Sequence, residues 1–384
     1  MMKTPLAWLQ LTHEKTRLLV ALAGITFADV LMFMQLGFRD ALFDSSVKLH
    51  QSLDGDIFML NSKTDTLTGI RSFSQRRLYE TLGVDQIETV TPVYIGVSTW
   101  KNPLARKTRN ILNVGLNPDK NVIILPEVQE KISVTKQQDV VLYDRLSRKE
   151  FGPIPELFES GETVKTEVGN RQIRVGGLFS VGTSFGADGT IITSDVNFLR
   201  LFPDRKKGLI DIGVIKLKSE ADLDKNLEFL RKNFNYEDIS FYSKKEFIQH
   251  EKKFWRTRTA IGFIFTLGTI MGFIVGTVIV YQILYTDVAD HLPEYATLKA
   301  MGYTDFYLLT VVFQEAIILG IIGFIPGVSF SMLLYYNAAK ATGLPIMMVT
   351  SRAIMVLILT ILMCCISGII AVGKLRAADP ADIF

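Results

Sequence analysis

Two carboxylates in this chain stand where water is scarce. Asp29 lies near the middle of an apolar run from Leu18 to about Phe38. Glu315, preceded by Gln314, lies in the inner third of another run from about Phe306 to Tyr336. An ionisable group deep in a bilayer costs on the order of 2.5–3.5 kcal/mol on insertion scales. Each should therefore face other helices or a wet cavity. Asp29 is about eleven residues into its run and Glu315 about nine, so their depths should differ by only about 3 Å at the helical rise. Two uses fit such a pair. They could couple helix movement to a protonation step, or they could form polar bonds that hold helices together.

The other familiar chemistries are absent. The four histidines, His13, His50, His250 and His291, show no metal-ligand spacing, and no C-x-x-C or H-E-x-x-H occurs, so no metal site is expected. No G-x-x-x-x-G-K-[ST] loop occurs, so the chain should bind no ATP by a P-loop. A G-x-S-x-G elbow is missing too. Asp54/Asp56 and Glu127/Glu130 are acid–base candidates by residue type alone, and turn or surface roles suit them better. The basic runs Arg76-Arg77 and Arg205-Lys206-Lys207 read as solvated faces. The glycine-rich stretch Gly176–Gly189 lacks the G-x-G-x-x-G order and reads as a connecting loop. No catalytic residue is assigned. A net charge of +3 over 384 residues gives no reason to expect nucleic acid. Cys364 and Cys365 are adjacent inside an apolar run, so no disulfide framework exists.

The elements that must position these groups are four apolar runs. The clearest has no charge from Ala260 to Tyr285, and its length gives roughly 39 Å of helix, enough to cross a bilayer core. Within it, Gly268, Gly272 and Gly276 share one helix face. Either another helix approaches closely there, or the glycines simply reflect membrane composition. The runs predict transmembrane helices at 18–38, 260–285, 306–336 and 353–372. Pro326 should kink the third. Residues 1–17 read as an interfacial helix, with Thr4 as N-cap, Pro5 at the first turn and Trp8 at headgroup level.

Residues 39–258 form a large polar domain. Strands are expected at Asp56–Leu60, Ile87–Ser98, Asn110–Gly115, Val122–Leu125, Val140–Tyr143, Arg171–Leu178, Thr190–Thr193 and Ile212–Leu217. Helices are expected at Ser74–Leu82, Ser194–Leu201, Ser219–Asn233 and Ser243–Arg258, each opening on a serine N-cap. The order suggests a split α/β unit with a mainly β insertion at about 111–202. The last helix should run unbroken into the span at Ala260. The expected fold is thus an α-helical membrane protein with four transmembrane helices and a large α+β extracytoplasmic domain between the first and second.

Four spans put both termini on one side, and Lys3, Lys15, Arg17, Lys374 and Arg376 mark it as cytoplasmic. The polar connector 286–305 and the tail 373–384 lie there, and loop 337–352 lies outside. Lys252, Lys253, Arg256 and Arg258 flank the second span on the outer side, against the simple charge rule, but long loops translocate largely regardless of charge. The connector is too short to fold alone, so its exposed groups should meet a partner. Alternatively, Leu292, Tyr295 and Leu298 only anchor it to the membrane.

One span, a large outside domain and three further spans resemble the MacB/FtsX class of ABC-transporter permeases, and more closely the cyanobacterial DevC family. The likeness rests on Thr4–Phe43, Phe185–Pro203, Gly262–Tyr303 and the terminal ADPADIF. The block E-x-A-x-L-K-A-M-G, from Glu294 to Gly302, resembles the coupling segment of the class, although His291-Leu292-Pro293 stands where many members carry a charged pair. The resemblance implies a homodimer in the bacterial inner membrane, with ATP bound and hydrolysed by a separate ABC ATPase subunit and no cofactor in this chain. The ATPase would be coupled through His291, Glu294, Tyr295, Leu298 and Lys299. It further implies a periplasmic adaptor, an outer-membrane channel, and export of glycolipid or a similar amphiphile. Two alternatives stay open at this point: an FtsX-type signalling subunit that controls a periplasmic hydrolase, and a membrane receptor.

Overall fold

The computed structural model describes residues 8, 15–184, 186–291, 293, 297, 301–302 and 304–377. They divide into two compact units. One is helical and holds residues up to 41, 260–342 and 346 onward; the other holds 42–259 and 343–345.

In chain order, α1 (Lys15–Ser46) is followed by the short α2 (Lys48–Ser52). The α/β unit then runs β1 (Ile57–Asn61), β2 (Phe73–Ser74), α3 (Gln75–Glu80), β3 (Ile87–Lys101), β4 (Thr108–Leu116), α4 (Pro126–Lys131), β5 (Val140–Asp144) and α5 (Ile154–Glu159). It continues through β6 (Lys165–Val168), β7 (Arg171–Phe179), β8 (Thr190–Ser194), α6 (Asp195–Leu201), β9 (Leu209–Ile210), β10 (Ile212–Leu217), α7 (Leu223–Asn233), β11 (Ile239–Ser243) and α8 (Lys244–Thr257). The chain ends in α9 (Ala260–Asp290), α10 (Asp305–Thr342) and α11 (Thr350–Ala377).

Nine strands make one sheet in the order β11-β1-β10-β3-β4-β8-β5-β7-β6. The pairs β4–β8 and β5–β7 are parallel, and the remaining pairs are antiparallel. The insertion therefore adds strands to the sheet of the split unit. It also curls: Trp100 of β3 pairs with Val168 of β6, so β3, β4, β8, β5, β7 and β6 close on themselves. Closure removes an exposed edge and encloses a core. That core holds Trp100, Tyr143, Phe151, Ile154, Val175 and Ile191, and the Trp100 indole donates to the Phe151 carbonyl at 3.1 Å. A second core, with Met59, Leu78, Ile215, Leu227 and Leu230, fills the space between the sheet and α3 and α7.

Several expectations need correction. Val122–Leu125 is no strand; only Ile123 bridges, to Leu53. α7 starts at Leu223 with Asp222 as its cap, not at Ser219, and Ser74 makes no capping bond. Ser194 and Ser243 do cap, the latter in a full capping box with Glu246. α8 does not continue into the span, because Arg258 and Thr259 break the helix. Arg205 is no solvated group: it pairs with buried Asp211 at 2.5 Å and lies over the Tyr94 and Phe198 rings. Arg77 likewise lies over Tyr236 and pairs with Asp238. Asp54 and Asp56 have structural roles, the first bonded to Lys216 at 2.6 Å and the second accepting from the Leu217 amide at 2.8 Å.

One buried cluster ties α2 to α8. Glu251 accepts from the Thr66 hydroxyl at 2.5 Å, the Leu67 amide at 3.0 Å and the Trp255 indole at 2.8 Å. His50 Nε2 lies 3.4 Å from its other oxygen. Burial alone would raise the Glu251 pKa, but His50, Thr66 and Trp255 outweigh it and hold the carboxyl below the ordinary range. A depressed folded-state pKa contributes stability above the unfolded value, and that stability is lost as pH falls through the folded one. Thermal melts of the full-length protein in detergent, followed by tryptophan fluorescence from about pH 7 to about pH 3, should show this loss. Glu251→Gln should be less stable at neutral pH and lose less on acidification. An acid limb as steep as that of the wild type would exclude Glu251 as its source.

Candidate functional site in the helical unit

Four helices are long and apolar enough to cross a membrane: Lys15–Ser46, Ala260–Asp290, Leu309–Thr342 and Thr350–Gly373. The chain is thus a multi-pass membrane protein whose large α/β domain lies between the first and second spans. α10 runs unbroken through Pro326 and ends where Gly343 adopts a positive φ of 71°. Ala21, Ile25, Ala28, Val280, Leu284, Ala316, Leu319, Met363 and Cys364 form the interior of the unit.

The glycines of α9 face α1. A Cβ built at Gly268 would lie 2.5 Å from the Gln35 side chain, and at Gly272 3.2 Å from Met32. At Gly276 it would meet Ala28 at 2.7 Å and Met363 Sδ of α11 at 2.2 Å. At Gly276 the Ala28 Cβ leaves no room for a side chain, whereas at Gly268 the flexible end of Gln35 can swing aside and at Gly272 the neighbour has to give by only a few tenths of an ångström.

Asp29, the residue after Ala28 in α1, is fully buried. The Thr360 hydroxyl of α11 donates to its Oδ1 at 2.5 Å. A Cβ built at Gly327 of α10 would lie 2.8 Å from the Asp29 Cβ, so Gly327 is what admits the acid. Asp29 therefore joins α1, α10 and α11.

Glu315 is also fully buried but lies elsewhere. It is twelve residues before Gly327 on the same helix, about 18 Å along its axis. The charge that faces it is Asp287, near the end of α9, and neither of its oxygens has a hydrogen-bond partner among the described residues. The expected match in depth is wrong. α10 begins at Asp305, and its first turns lie below the level at which Asp29 sits. Counting from the first apolar residue of each run therefore did not measure depth.

Polar groups at the helix ends are paired. Arg17 of α1 pairs with Asp290 of α9. Arg352, which opens α11, is buried and binds Asp40 of α1 at 2.8 Å and the Met347 carbonyl at 2.8 Å. It also lies over the ring of Tyr335, whose hydroxyl donates to the Phe33 carbonyl. Sequence reasoning missed Thr360, Asp287 and Arg352. A threonine within an apolar run was the only available sign of the first.

Of the connector residues, His291 ends α9 with Nε2 3.9 Å from Asp287 Oδ1. Glu294, Tyr295, Leu298 and Lys299 lie outside the described residues. Gly302 closes the connector with φ of 95° and open space around it, so backbone conformation rather than crowding calls for glycine there. Among the described residues, no cluster of His, Cys, Asp and Glu could hold a metal.

A span, this connector and two further spans make up the C-terminal third. Residues 260–380 match the FtsX-like permease C-terminal family. The matched segment covers α9, the connector, α10 and α11. No curated protein matches the chain. Three solved structures are similar to its α/β part. The periplasmic region of MacB from Actinobacillus actinomycetemcomitans is 13% identical, covers 52% of this chain and 92% of its own, and has a TM-score of 0.35. The extracellular domain of the noncanonic ABC-type transporter YknZ from Gram-positive bacteria is 14% identical, covers 49% and 99%, and scores 0.32. A domain of a putative permease protein from Porphyromonas gingivalis is 13% identical, covers 50% and 88%, and scores 0.28.

Within the helical unit, interhelical bonds of the Asp29–Thr360 type contribute about 1–2 kcal/mol at most. Asp29→Leu should lower the melting temperature in detergent by a correspondingly small amount, and Asp29→Asn, which still accepts from Thr360, by less. Gly276→Leu overpacks two helices and should cost more, about 1–3 kcal/mol or above. Equal melting for Asp29→Leu and wild type would show that the bond carries no stability.

Proposed function

We propose that the chain is the permease subunit of a MacB/FtsX-class ABC exporter. The observation that supports this most is the FtsX-like domain at 260–380, in which a polar connector is tied directly to two spans. The large domain stands on the extracytoplasmic side, the periplasm of a two-membrane cell, and the connector on the cytoplasmic side. A separate ATPase binds and hydrolyses ATP; this chain takes up no cofactor and performs no catalysis. The connector passes the ATPase's movement to α9 and α10, and two copies act together as a homodimer. A periplasmic adaptor receives the outside domain and leads to an outer-membrane channel. The cargo is an amphiphile of the glycolipid type, in keeping with the likeness to the DevC family.

The helical unit supports this division of labour. Its interior is packed by close helix contact at Gly272, Gly276 and Gly327, and the Asp29–Thr360 bond joins two of its helices. Such a unit suits transmission of movement better than conduction of solute.

Two measurements test the reading. Single cysteines at Ser62 and Thr297, with Cys364 and Cys365 replaced by alanine, should label from opposite sides of a sealed cell. Labelling of both by an impermeant reagent would refute the topology. Glu294→Lys should lower ATPase co-purification about tenfold while leaving membrane insertion intact; a tenfold loss corresponds to about 1.4 kcal/mol. Unchanged co-purification and export would remove the contact from this segment. Purification from native membranes should bring an adaptor and a channel with the wild-type chain. A cell-wall hydrolase in their place would overturn export in favour of signalling.

A further inference from the structure

The outer face of α8 is unusual in its charge. Its inner face is fixed by Phe247, which stacks on Phe58, by buried Glu251, and by Trp255, which donates to Glu251. The other acid of the helix, Glu246, is bonded to Arg231 at 2.7 Å and to the Ser243 cap. Both acids are thus used inside the domain, as are Lys244, which donates to the Leu53 carbonyl at 2.8 Å, and Arg256 in part, whose guanidinium lies over the Phe43 ring while the side chain stays exposed. Lys245, Lys252, Lys253 and Arg256 line one open groove with Ile248, Gln249 and Thr257, every one of them from α8. Lys252 is bound to Asp44 at 2.6 Å. Lys253, Arg256 and Arg258 are exposed, and no carboxylate among the described residues pairs with them.

Chain geometry decides what these three meet. Only Arg258 and Thr259 separate α8 from α9, the next span, which begins at Ala260. Even fully extended, the chain keeps the Arg258 Cα within about 7 Å and the Arg256 Cα within about 14 Å of Ala260. The headgroup layer is several ångströms thick on each side, and these side chains are long. The dipole of α8 accounts for a cation in its last turn only. It gives no reason for an outward row that begins at Lys245.

We propose that Lys253, Arg256 and Arg258 form a binding site for the anionic phosphate headgroups of phospholipids in the adjoining leaflet. The inference rests on α9 being a span and is independent of what the protein exports. It explains why cations stand on a flank where the usual distribution of charge does not call for them.

The test uses full-length protein in nanodiscs of phosphatidylcholine with about one-third phosphatidylglycerol. A bimane label is attached at Thr257→Cys, with both native cysteines replaced by alanine. Quenching by headgroup spin-labelled phosphatidylglycerol should exceed quenching by the phosphatidylcholine analogue about twofold. The excess should disappear in the triple variant Lys253→Gln/Arg256→Gln/Arg258→Gln and at high salt. Lys245→Gln, two turns further from the span, should keep it. Retention of the excess by the triple variant, or an equal loss in Lys245→Gln, would overturn the site. So would a triple variant that loses a bound acidic protein or its oligomeric state with lipid preference unchanged. Because both leaflets of the disc have the same composition, the outcome does not depend on the sidedness proposed above.

Discussion

A carboxylic acid in an apolar bundle must be held by its neighbours, and much of the helical unit is arranged around one that is. Asp29 takes a hydrogen bond from Thr360 and presses its Cβ against Gly327. Those contacts fix where α1 stands relative to α10 and α11. Beside Asp29, Gly276 lets α9 close against the adjacent residue Ala28 and against Met363. In lipid there is little hydrophobic gain from helix association, so close packing and a few polar bonds have to suffice. Gly276 and Gly327 make both possible at once, because each admits a neighbour that a methyl group would exclude.

Glu315 follows a different rule. It is as buried as Asp29 but has no hydroxyl against it, and the acid facing it is Asp287. It lies near the level of the Arg17–Asp290 pair rather than that of Thr360. The two acids therefore belong to different layers of the unit, one a fastening between helices and the other beside the connector. Movement passed from the connector would reach Glu315 first.

Much of the architecture was legible in the residues, for reasons that can be named. The four spans are long, predominantly apolar runs, and Ile212–Leu217 is a short run rich in β-branched apolar residues whose observed limits match the expected ones. β6 was missed because Lys165-Thr-Glu-Val carries only one large apolar residue, and β11 because Ile239-Ser-Phe-Tyr-Ser runs straight into a helix cap. The closing of β3 onto β6 could not be read, since it depends on a single pairing, Trp100 with Val168, across sixty-eight positions. Serine proved an ambiguous cap: Ser194 and Ser243 bond the helix amides, whereas Asp222 takes that place from Ser219. The depth of Glu315 was misjudged because a helix does not enter the bilayer at its first apolar residue. Arg205 was misjudged because its partner, Asp211, lies beyond a turn that sequence does not reveal.

The bond between Asp29 and Thr360 joins residues 331 positions apart. The ribosome adds about 5–20 residues each second, so roughly 15–65 s pass between the emergence of the acid and that of its partner. Over that interval the first span waits in the membrane without the hydroxyl that will accept its company, while the whole α/β domain is synthesised. The nascent chain thus needs a temporary host for Asp29, whether the insertion machinery, a water-filled crevice or an assisting protein. Biogenesis of this helical unit is therefore most exposed to failure early, at the helix whose final neighbours are made last.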